Sequence, residues 1–347
     1  MSTFLRGSRR LVIIISVLSA LVIFSLSTIS NHYSHTSCHA ARSLYSDSPS
    51  ATSKEADHDH TSYYLNLNSL NATANARDHN EHILILTPLI KGSSVHLKRF
   101  FDQLDKSTYP NHLISIGLLA TDSSDENENK ILEFYVRQYQ GRWFKRFHEI
   151  NVYQRNFEFL NNDEPYDLTI MARARNFLLA ASLRDFHSWV AWIDVDVVKY
   201  PAAIFEDLMR ADVDVIVPNC LLYREDNAFW GYDRNNWAET DYSLEMQKWV
   251  GQDFILMEGS GRTLLVDMPT HMGVHHKVPL DGVGATFTLV KSHVHREGAN
   301  FPPFVYQHQV EAEAFGKVAN AMGFSVYGLP GYTVYHAGRK QLHDNNQ

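Results

Sequence analysis

Five consecutive apolar residues, Trp189-Val190-Ala191-Trp192-Ile193, stand directly before the acidic sequence Asp194-Val195-Asp196. A strand with one solvated face alternates apolar and polar residues, whereas a continuous apolar run is typical of a strand that is buried on both faces. Sheets that are covered on both faces by helices are largely parallel and belong to α/β domains. The run therefore predicts a central strand of an α/β fold.

The rest of the chain from Glu81 onward supports this fold class, because short apolar runs alternate there with helical patterns. The pattern predicts strands at residues 83–86, 113–120, 149–153 and 332–335. It predicts helices at residues 95–104, 131–139, 170–184 and 311–322, with Thr169 as the N-cap of the third. Thr87-Pro88 is expected to stop the first strand, and we expect a mixed, mostly parallel sheet flanked by helices.

The amino terminus has the pattern of a membrane anchor. Residues 1–10 contain Arg6, Arg9 and Arg10, and residues 11–30 contain no charged side chain. About twenty apolar residues match a hydrocarbon core of roughly 30 Å, whereas a cleaved signal has a shorter apolar region of about 7–15 residues. Because the arginines precede the run, we expect a cytosolic tail and a lumenal carboxyl part, a type II topology. The alternative is a signal peptide cleaved near Ala40.

Residues 31–80 are polar, with no sustained apolar periodicity, and predict a solvated lumenal stem ahead of a folded domain at residues 81–347. The sequon Asn71-Ala72-Thr73 lies in this stem, as an exposed glycosylation site does. The stem's histidines lack the regular spacing of a metal site, so a plain linker is favoured.

Cysteine content and charge exclude two classes of protein. The chain has two cysteines, Cys38 and Cys220, which is too few for a disulfide framework. The formal net charge is −8, whereas a domain that binds nucleic acid is usually basic, so we expect no nucleic acid partner.

The acidic pair after the central strand predicts a metal site. In an extended segment Asp194 and Asp196 point to the same side, with Val195 turned into the core. They lie at the carboxyl end of a strand, where α/β folds bind ligands. Carboxylates together with substrate phosphates are the usual ligands of Mg²⁺ and Mn²⁺. The alternative is a solvated turn.

Other candidate residues each have a structural alternative. Arg173 and Arg175 suit a phosphate, or an internal salt bridge with an acidic residue upstream. The sequence Asp281-Gly282-Val283-Gly284 allows the backbone to approach a ligand closely, or makes a tight turn into a strand.

The carboxyl-terminal candidates also leave two interpretations open. Glu311 and Glu313 face roughly opposite ways on a helix, so at most one is expected to reach the site. His336 follows a predicted strand, where a lone histidine is more often structural than a metal ligand.

Taken in order, these segments resemble the fungal Golgi α-mannosyltransferases of glycosyltransferase family 62, which include mannan polymerase subunits. The resemblance spans residues 82–336. The matching segments are Ile83-Leu84-Ile85-Leu86-Thr87-Pro88-Leu89, Ser123-Ser124-Asp125, Met171-Ala172-Arg173-Ala174-Arg175-Asn176, Asp194-Val195-Asp196-Val197, Asp214-Val215-Ile216-Val217-Pro218-Asn219, Leu280-Asp281-Gly282-Val283-Gly284, Glu311-Ala312-Glu313-Ala314-Phe315-Gly316-Lys317, Gly328-Leu329-Pro330 and Tyr332-Thr333-Val334-Tyr335-His336. The segment from Leu221 to His276 departs from the family pattern, which leaves the acceptor and linkage open.

The resemblance implies a GT-A fold, GDP-mannose as donor, Mn²⁺ or Mg²⁺ as cofactor, retention of the α configuration and a Golgi membrane location. It further implies partners among other mannosyltransferase subunits. The implied metal ligands are Asp194, Asp196 and His336, with Asp194 also at the diphosphate. The residues implied to bind the nucleotide sugar are Thr87, Pro88, Ser123, Asp125 and Arg173. Asp281 and Glu313 are the candidates for the catalytic carboxylate.

Two other functions compete with the transferase. A noncatalytic subunit would keep the fold to scaffold a complex or to prime its partner, although the presence of Asp194, Asp196 and His336 counts against it. A metal-dependent phosphohydrolase would require a denser cluster of Asp and His than this sequence contains.

Overall fold

The computed structural model describes residues 66–122, 124–158, 164–226, 229–256 and 260–338. The strands in these ranges are β1 (His82–Leu89), β2 (Ile114–Ala120), β3 (Glu149–Gln154), β4 (His187–Ile193), β5 (Val197–Lys199), β6 (Val215–Leu222), β7 (Trp237–Ala238), β8 (Thr263–Leu264), β9 (Val278–Pro279), β10 (Phe287–Lys291) and β11 (Val326–His336). The α-helices are α1 (Leu97–Asp105), α2 (Glu126–Gln140), α3 (Glu164–Ser182), α4 (Ile204–Met209), α5 (Asp241–Gln247), α6 (Ser292–Arg296) and α7 (Glu311–Ala321).

The expected membrane anchor at residues 11–30 lies outside the described residues. Among those that are described, no helix combines the length and the apolar character needed to cross a bilayer.

The main sheet is mixed, with the strand order β3-β2-β1-β4-β10-β6-β11-β5 and with β9 added alongside β11. Strands β3, β2, β1 and β4 are parallel to one another, and β11 is parallel to β6. Strand β10 lies between β4 and β6 and is antiparallel to both. The expected α/β class with a mostly parallel sheet is therefore confirmed, and β10 is an addition that the sequence pattern did not predict.

The central strand β4 is buried on both faces, as its apolar run predicted. Trp189 and Ala191 pack into the core layer on one side of the sheet, beneath α1, α2 and α4. Val190 and Trp192 pack into the layer on the other side, beneath α3, α6 and α7. Because successive residues of a strand point to opposite faces, a strand between two cores needs an apolar residue at every position.

Strand β1 does not stop at Thr87-Pro88 but continues to Leu89. It pairs with β2 as far as Leu89, whereas its pairing with β4 ends at Leu86. Proline lacks the amide that a central strand needs for two neighbours, and it is tolerated where a strand is paired on one side only. The early stop expected at Thr87-Pro88 is therefore wrong.

Two helices begin earlier than their patterns predicted. Helix α3 starts at Glu164, so Thr169 lies inside the helix and is not its N-cap. Helix α2 starts at Glu126 because the Asp125 carboxylate caps it, accepting from the amides of Asn127 and Glu128. Helix ends are set by such single hydrogen bonds, which apolar periodicity does not reveal.

The segment from residue 66 to residue 80, assigned to the stem by its composition, packs on the domain. Ala76 is 1% exposed and belongs to the core beneath α1 and α4. The Thr73 hydroxyl and amide both donate to the buried carboxylate of Glu81, at 2.6 and 2.9 Å. These contacts place the start of the packed unit ahead of Glu81.

Three histidines lie at the amino ends of the parallel strands. His82 begins β1, His187 begins β4 and His148 precedes β3, with the rings of His82 and His148 4.7 Å apart. Burial, together with the nearby His148 and His112, lowers the pKa of His82 to about 4. Burial also lowers the pKa of His187 to about 3, with smaller contributions from His82, Arg296, His148 and Arg184. The imidazoles of His82 and His187 are therefore neutral in the folded protein at neutral pH.

We expect the free energy of unfolding to fall as pH decreases below about 6.5, the ordinary pKa of histidine. Below that value the unfolded chain binds protons that the folded chain excludes until pH 3–4, which costs up to about 1.4 kcal/mol per pH unit per histidine. His187→Asn keeps an acceptor near Nδ1, which the Arg184 amide contacts at 3.0 Å, and removes the titrating group. Urea unfolding from pH 5 to pH 7.5 should therefore show a shallower pH dependence in this variant. If the free energy of unfolding of this variant depends on pH as steeply as that of the unmodified protein, the neutral state assigned to His187 is contradicted.

Candidate functional site

The two aspartates that follow β4 lie in a turn. The Val197 amide donates to the Asp194 carbonyl at 3.1 Å, which closes a β-turn between β4 and β5. The extended segment that the sequence predicted is therefore wrong at this point, although Val195 is buried as expected. The turn reverses the chain and still places both carboxylates at the carboxyl end of β4.

His336 completes a cluster with the two aspartates. Strand β5 pairs with the end of β11, and the register sets His336 opposite Val197. The His336 Nε2 atom lies 2.7 Å from Asp196 Oδ1. Ligand atoms of Asp194, Asp196 and His336 all lie within 4.8 Å of one another. Two carboxylates and one imidazole at this separation can bind one divalent cation together.

The His336 ring also contacts the Ala337 carbonyl and the Tyr232 ring. Its Nδ1 atom lies 2.6 Å from the Ala337 carbonyl oxygen, and the Tyr232 ring stacks on it at 3.8 Å between centroids. A proton on Nδ1 that is donated to a carbonyl leaves Nε2 free to bind a metal. Burial alone would lower the pKa of His336, but the hydrogen bond to Asp196 and the charges of Asp196 and Asp194 raise it above its ordinary value.

A buried arginine lies behind the aspartates. The Arg175 Nε atom of α3 donates to Glu311 Oε1 at 2.5 Å, and Nη2 lies 3.5 Å from Asp194 Oδ1. The guanidinium lies near the rings of Trp192 and Phe301, at 5.5 and 5.6 Å from their centroids. The internal salt bridge that the sequence left open for this helix is therefore present, with acidic partners far along the chain.

Burial and Arg175 act in opposite directions on Asp194. Burial raises the pKa of Asp194 to about 6, with Asp196 adding to the rise, while the Arg175 guanidinium opposes it. A cation bound between the carboxylates favours their ionised forms, because each ligand must lose its proton to bind.

Asp233 is a buried carboxylate near the cluster that the sequence interpretation missed. Asp233 is 5% exposed, and burial raises its pKa while hydrogen bonds from Asn235, Thr286 and Asn236 and the charge of His336 lower it. A Cβ atom on Gly284 would overlap the Asp233 carboxylate, so the absence of a side chain there makes room for it. Gly284 therefore has a packing role that neither of the two interpretations of residues 281–284 had included. No local pattern around residue 233 marked it.

A second charged network surrounds the buried Trp237. The Trp237 indole donates to Glu313 Oε1 at 2.5 Å, and the Arg262 guanidinium lies over its ring at 3.8 Å. Arg262 Nη1 lies 3.8 Å from the Glu313 carboxylate. Burial raises the pKa of Glu313 to about 7, although the indole hydrogen bond and Arg262 oppose the rise. Asp281 Oδ2 accepts from the Glu239 amide at 2.7 Å, which makes Asp281 part of the local framework.

Glu311 and Glu313 therefore face different networks, as helical geometry predicted. Glu311 forms an ion pair with Arg175, which also lies near Asp194. Glu313 instead accepts from the Trp237 indole and lies near Arg262. The charges of Asp233 and Glu311 nevertheless reach Glu313. The two networks are neighbours.

The residues implied to bind the nucleotide are not brought together as one set. Thr87 and Pro88 are buried in β1, and the Thr87 hydroxyl donates to the Ile193 carbonyl at 2.8 Å, which ties β1 to β4. Asp125 uses Oδ1 to cap α2. Ser123 lies outside the described residues. Arg173 is exposed and lines a cleft of about 240 Å³ together with Arg155 and Phe157.

We expect Asp196→Asn and His336→Ala each to weaken Mn²⁺ binding by more than about tenfold, because each removes one ligand from a small set. Titration followed by electron paramagnetic resonance measures free Mn²⁺ directly. Asp212→Asn is the matched control, since it removes one carboxylate from an exposed turn and asparagine accepts its left-handed φ of 46°. Unchanged Mn²⁺ affinity in both cluster variants would rule out this metal site.

The sequence profile of the Anp1 family matches residues 61–305. The mannan polymerase II complex anp1 subunit of Schizosaccharomyces pombe is 37% identical over 278 residues, covering 74% of this chain and 64% of that protein. The mannan polymerase complex subunit mnn9 of the same organism is 31% identical over 293 residues, covering 78% of this chain and 84% of that protein.

Among solved structures, the mannosyltransferase PcManGT from Pyrobaculum calidifontis in complex with GDP-Man and Mn²⁺ matches with a TM-score of 0.44 at 10% identity, covering 79% of this chain and 61% of that one. The profile match covers more than half of the sequence, and the chain belongs to the Anp1 family, as the resemblance to the mannan polymerase subunits predicted.

Proposed function

We propose that this protein is a metal-dependent, retaining α-mannosyltransferase that uses GDP-mannose to extend mannan, an N-glycan or a related glycoconjugate. The convergence of Asp194, Asp196 and His336 at the carboxyl end of β4 is the observation that carries the proposal. The names of the relatives as mannan polymerase subunits support the substrate class. In this proposal the fold is of the GT-A type.

In this proposal the domain lies on the lumenal side of the Golgi membrane. The protein is of the single-pass type II class, and residues 11–30 anchor it. Other mannosyltransferase subunits are the proposed protein partners, because the relatives carry the names of complex subunits. The competing function is a noncatalytic subunit that keeps the fold as a scaffold or primes its partner.

A divalent cation held by Asp194, Asp196 and His336 would neutralise the negative charge that develops on the departing diphosphate. Arg175 positions this site, since its bond to Asp194 orients one carboxylate and its bond to Glu311 compensates its own charge. Arg173, exposed in the cleft that it lines with Arg155, is the proposed cation for the diphosphate. The buried ring of His336 offers Nε2 toward the same centre.

Glu313 is the better of the two candidates for the catalytic carboxylate. Its pKa of about 7 lets it exchange a proton near neutral pH, which suits a general base or a nucleophile. Asp281 is instead engaged with the backbone of Glu239. Retention is compatible with attack by Glu313 or with same-face attack by the acceptor, in which the leaving phosphate takes the proton.

Incubation with GDP-mannose, Mn²⁺ and an oligomannoside tests the proposed activity. Transfer of mannose is the expected result, whereas no reaction supports the scaffold and release of free mannose alone supports a hydrolase. Glu313→Gln should lower the turnover number by about 100-fold or more, the usual contribution of a positioned proton-transfer group. Asp281→Asn is the matched control and should keep most of the activity.

The pH profile and nucleotide affinity separate a catalytic Glu313 from a structural one. Since the ionised carboxylate is the active form, the transfer rate should rise as pH increases through about 7. GDP affinity in the presence of Mn²⁺ should be unchanged in Glu313→Gln. A variant that transfers mannose normally would eliminate Glu313 from the mechanism.

Donor selectivity is proposed to depend on Asp125. Capping α2 occupies Oδ1, and Oδ2 is proposed to accept from the amino and ring N–H groups of guanine. Uracil does not offer the same pair of donors. A site that loses such a hydrogen bond is left with an unsatisfied polar group, at a cost of roughly 1–3 kcal/mol.

We therefore expect GDP to bind at least about tenfold more tightly than UDP with Mn²⁺ present, which corresponds to about 1.4 kcal/mol. Asp125→Asn preserves the helix cap and replaces one acceptor with a donor, so it should narrow the difference. Calorimetry measures both affinities. Equal affinities in the unmodified protein would contradict the mannosyl donor and leave the transferase fold unaffected.

A further inference from the structure

The chain that follows β6 forms a hairpin beside the metal cluster. Leu221 is bridged to Gly231, the Leu222 amide donates to the Trp230 carbonyl at 2.8 Å, and the Tyr232 amide donates to the Cys220 carbonyl at 3.0 Å. The hairpin is also anchored to β11, because the Tyr223 amide donates to the His336 carbonyl at 2.8 Å.

The hydrogen-bond pattern decides which face of the hairpin Trp230 occupies. Residues directly opposite each other in an antiparallel pair share a face, and residues two apart on one strand share it too. Trp230 therefore lies on the face of Tyr232, and Tyr232 stacks on His336 at 3.8 Å with an interplanar angle of 12°. Trp230 lies two residues before Tyr232, on the same face as the ring that stacks on His336.

Trp230 is 61% exposed, and its neighbour Phe229, on the opposite face of the hairpin, is 62% exposed. On the face that Trp230 shares with Cys220 and Tyr232, Cys220 is buried and Trp230 is not. Single exposed aromatic rings need no ligand, and Trp143 is 90% exposed. What distinguishes Trp230 is that it shares a face with Tyr232, which stacks on His336. Its position beside a candidate catalytic centre suggests a ligand of that centre.

We propose that the Trp230 indole is the platform on which a pyranose ring of an oligomannoside acceptor stacks while its hydroxyl faces the metal cluster. This inference rests on the proposed function, which it deepens by assigning an acceptor subsite. One face of a pyranose ring carries mainly C–H groups and packs on an aromatic ring, while the ring's edge of hydroxyl groups stays in water. The faces of an indole are apolar, so they can cover the C–H face of the pyranose ring and leave its hydroxyl groups in water.

The surroundings favour a sugar over a protein partner. Arg224 and Asp226 form an ion pair at 2.6 Å on the same hairpin, with side chains 41% and 54% exposed. A stable protein interface buries about 800 Å² on each partner around an apolar centre. The apolar surface that Trp230 offers is one indole beside charged side chains, and its area matches a single sugar ring.

The test is calorimetric titration of the full chain with an α-linked oligomannoside, in the presence of GDP and Mn²⁺ so that no transfer occurs. Trp230→Ala should raise the dissociation constant for the oligomannoside about tenfold, which corresponds to about 1.4 kcal/mol. Trp230→Phe should recover most of the affinity, because phenylalanine keeps an aromatic face. Trp143→Ala is the matched control, since Trp143 is 90% exposed in the turn that enters β3 at its amino end, away from the cluster.

Each outcome bears on the inference. An unmodified protein that does not bind the oligomannoside at millimolar concentration, or a Trp230→Ala variant with unchanged affinity, overturns it. A variant that loses GDP affinity equally places the indole at the nucleotide and also overturns it. A change of mass by light scattering in Trp230→Ala would instead mark a subunit interface. Weakened oligomannoside binding in a protein that transfers no mannose would uphold the platform and reject the proposed activity.

Discussion

The charge of Arg175 is the constraint on which the centre of the domain depends. A guanidinium that is 7% exposed needs acidic partners, and it has one in Asp194 after β4 and another in Glu311 at the start of α7. Removing one partner of such a buried pair typically costs about 3–5 kcal/mol, because the other charge remains without compensation. Helix α3, strand β4 and helix α7 are therefore tied together by charge as well as by apolar packing.

The backbone at Glu311 is strained in order to make this contact. Its φ of 58° lies in the left-handed region, which costs a residue other than glycine about 1–3 kcal/mol. Gln307 and His308 in the preceding segment have positive φ values as well, 46° and 66°. The Glu311 amide donates to the Pro302 carbonyl at 3.1 Å, so the strained residue is anchored through its backbone as well as through its carboxylate. Strain of this kind persists where surrounding contacts overdetermine the conformation, and here it holds the carboxylate against Arg175.

The sequence predicted those parts of the structure that depend on local apolar patterns. The buried strand β4 and the alternation of strands and helices followed from periodicity, and the acidic pair after β4 followed from its position at a strand end. Long-range contacts were not accessible in the same way. Only the family resemblance implied that His336 joins Asp194 and Asp196, and the pairing of β5 with β11 that brings it to Asp196 was not predicted. The burial of Asp233 against Gly284 left no pattern in either segment. The extent of β1 beyond Pro88 likewise depended on where its neighbour β4 stops pairing.

The pairing of β5 with β11 has a consequence for how the domain is synthesised. Asp194 and Asp196 emerge from the ribosome long before His336, which stands at the last position of the final strand. Contacts between residues so far apart in sequence form late, because the loop between them must close first. The cluster of Asp194, Asp196 and His336 is therefore complete only after β11 has been made, and until then a growing chain carries its two aspartates without the histidine.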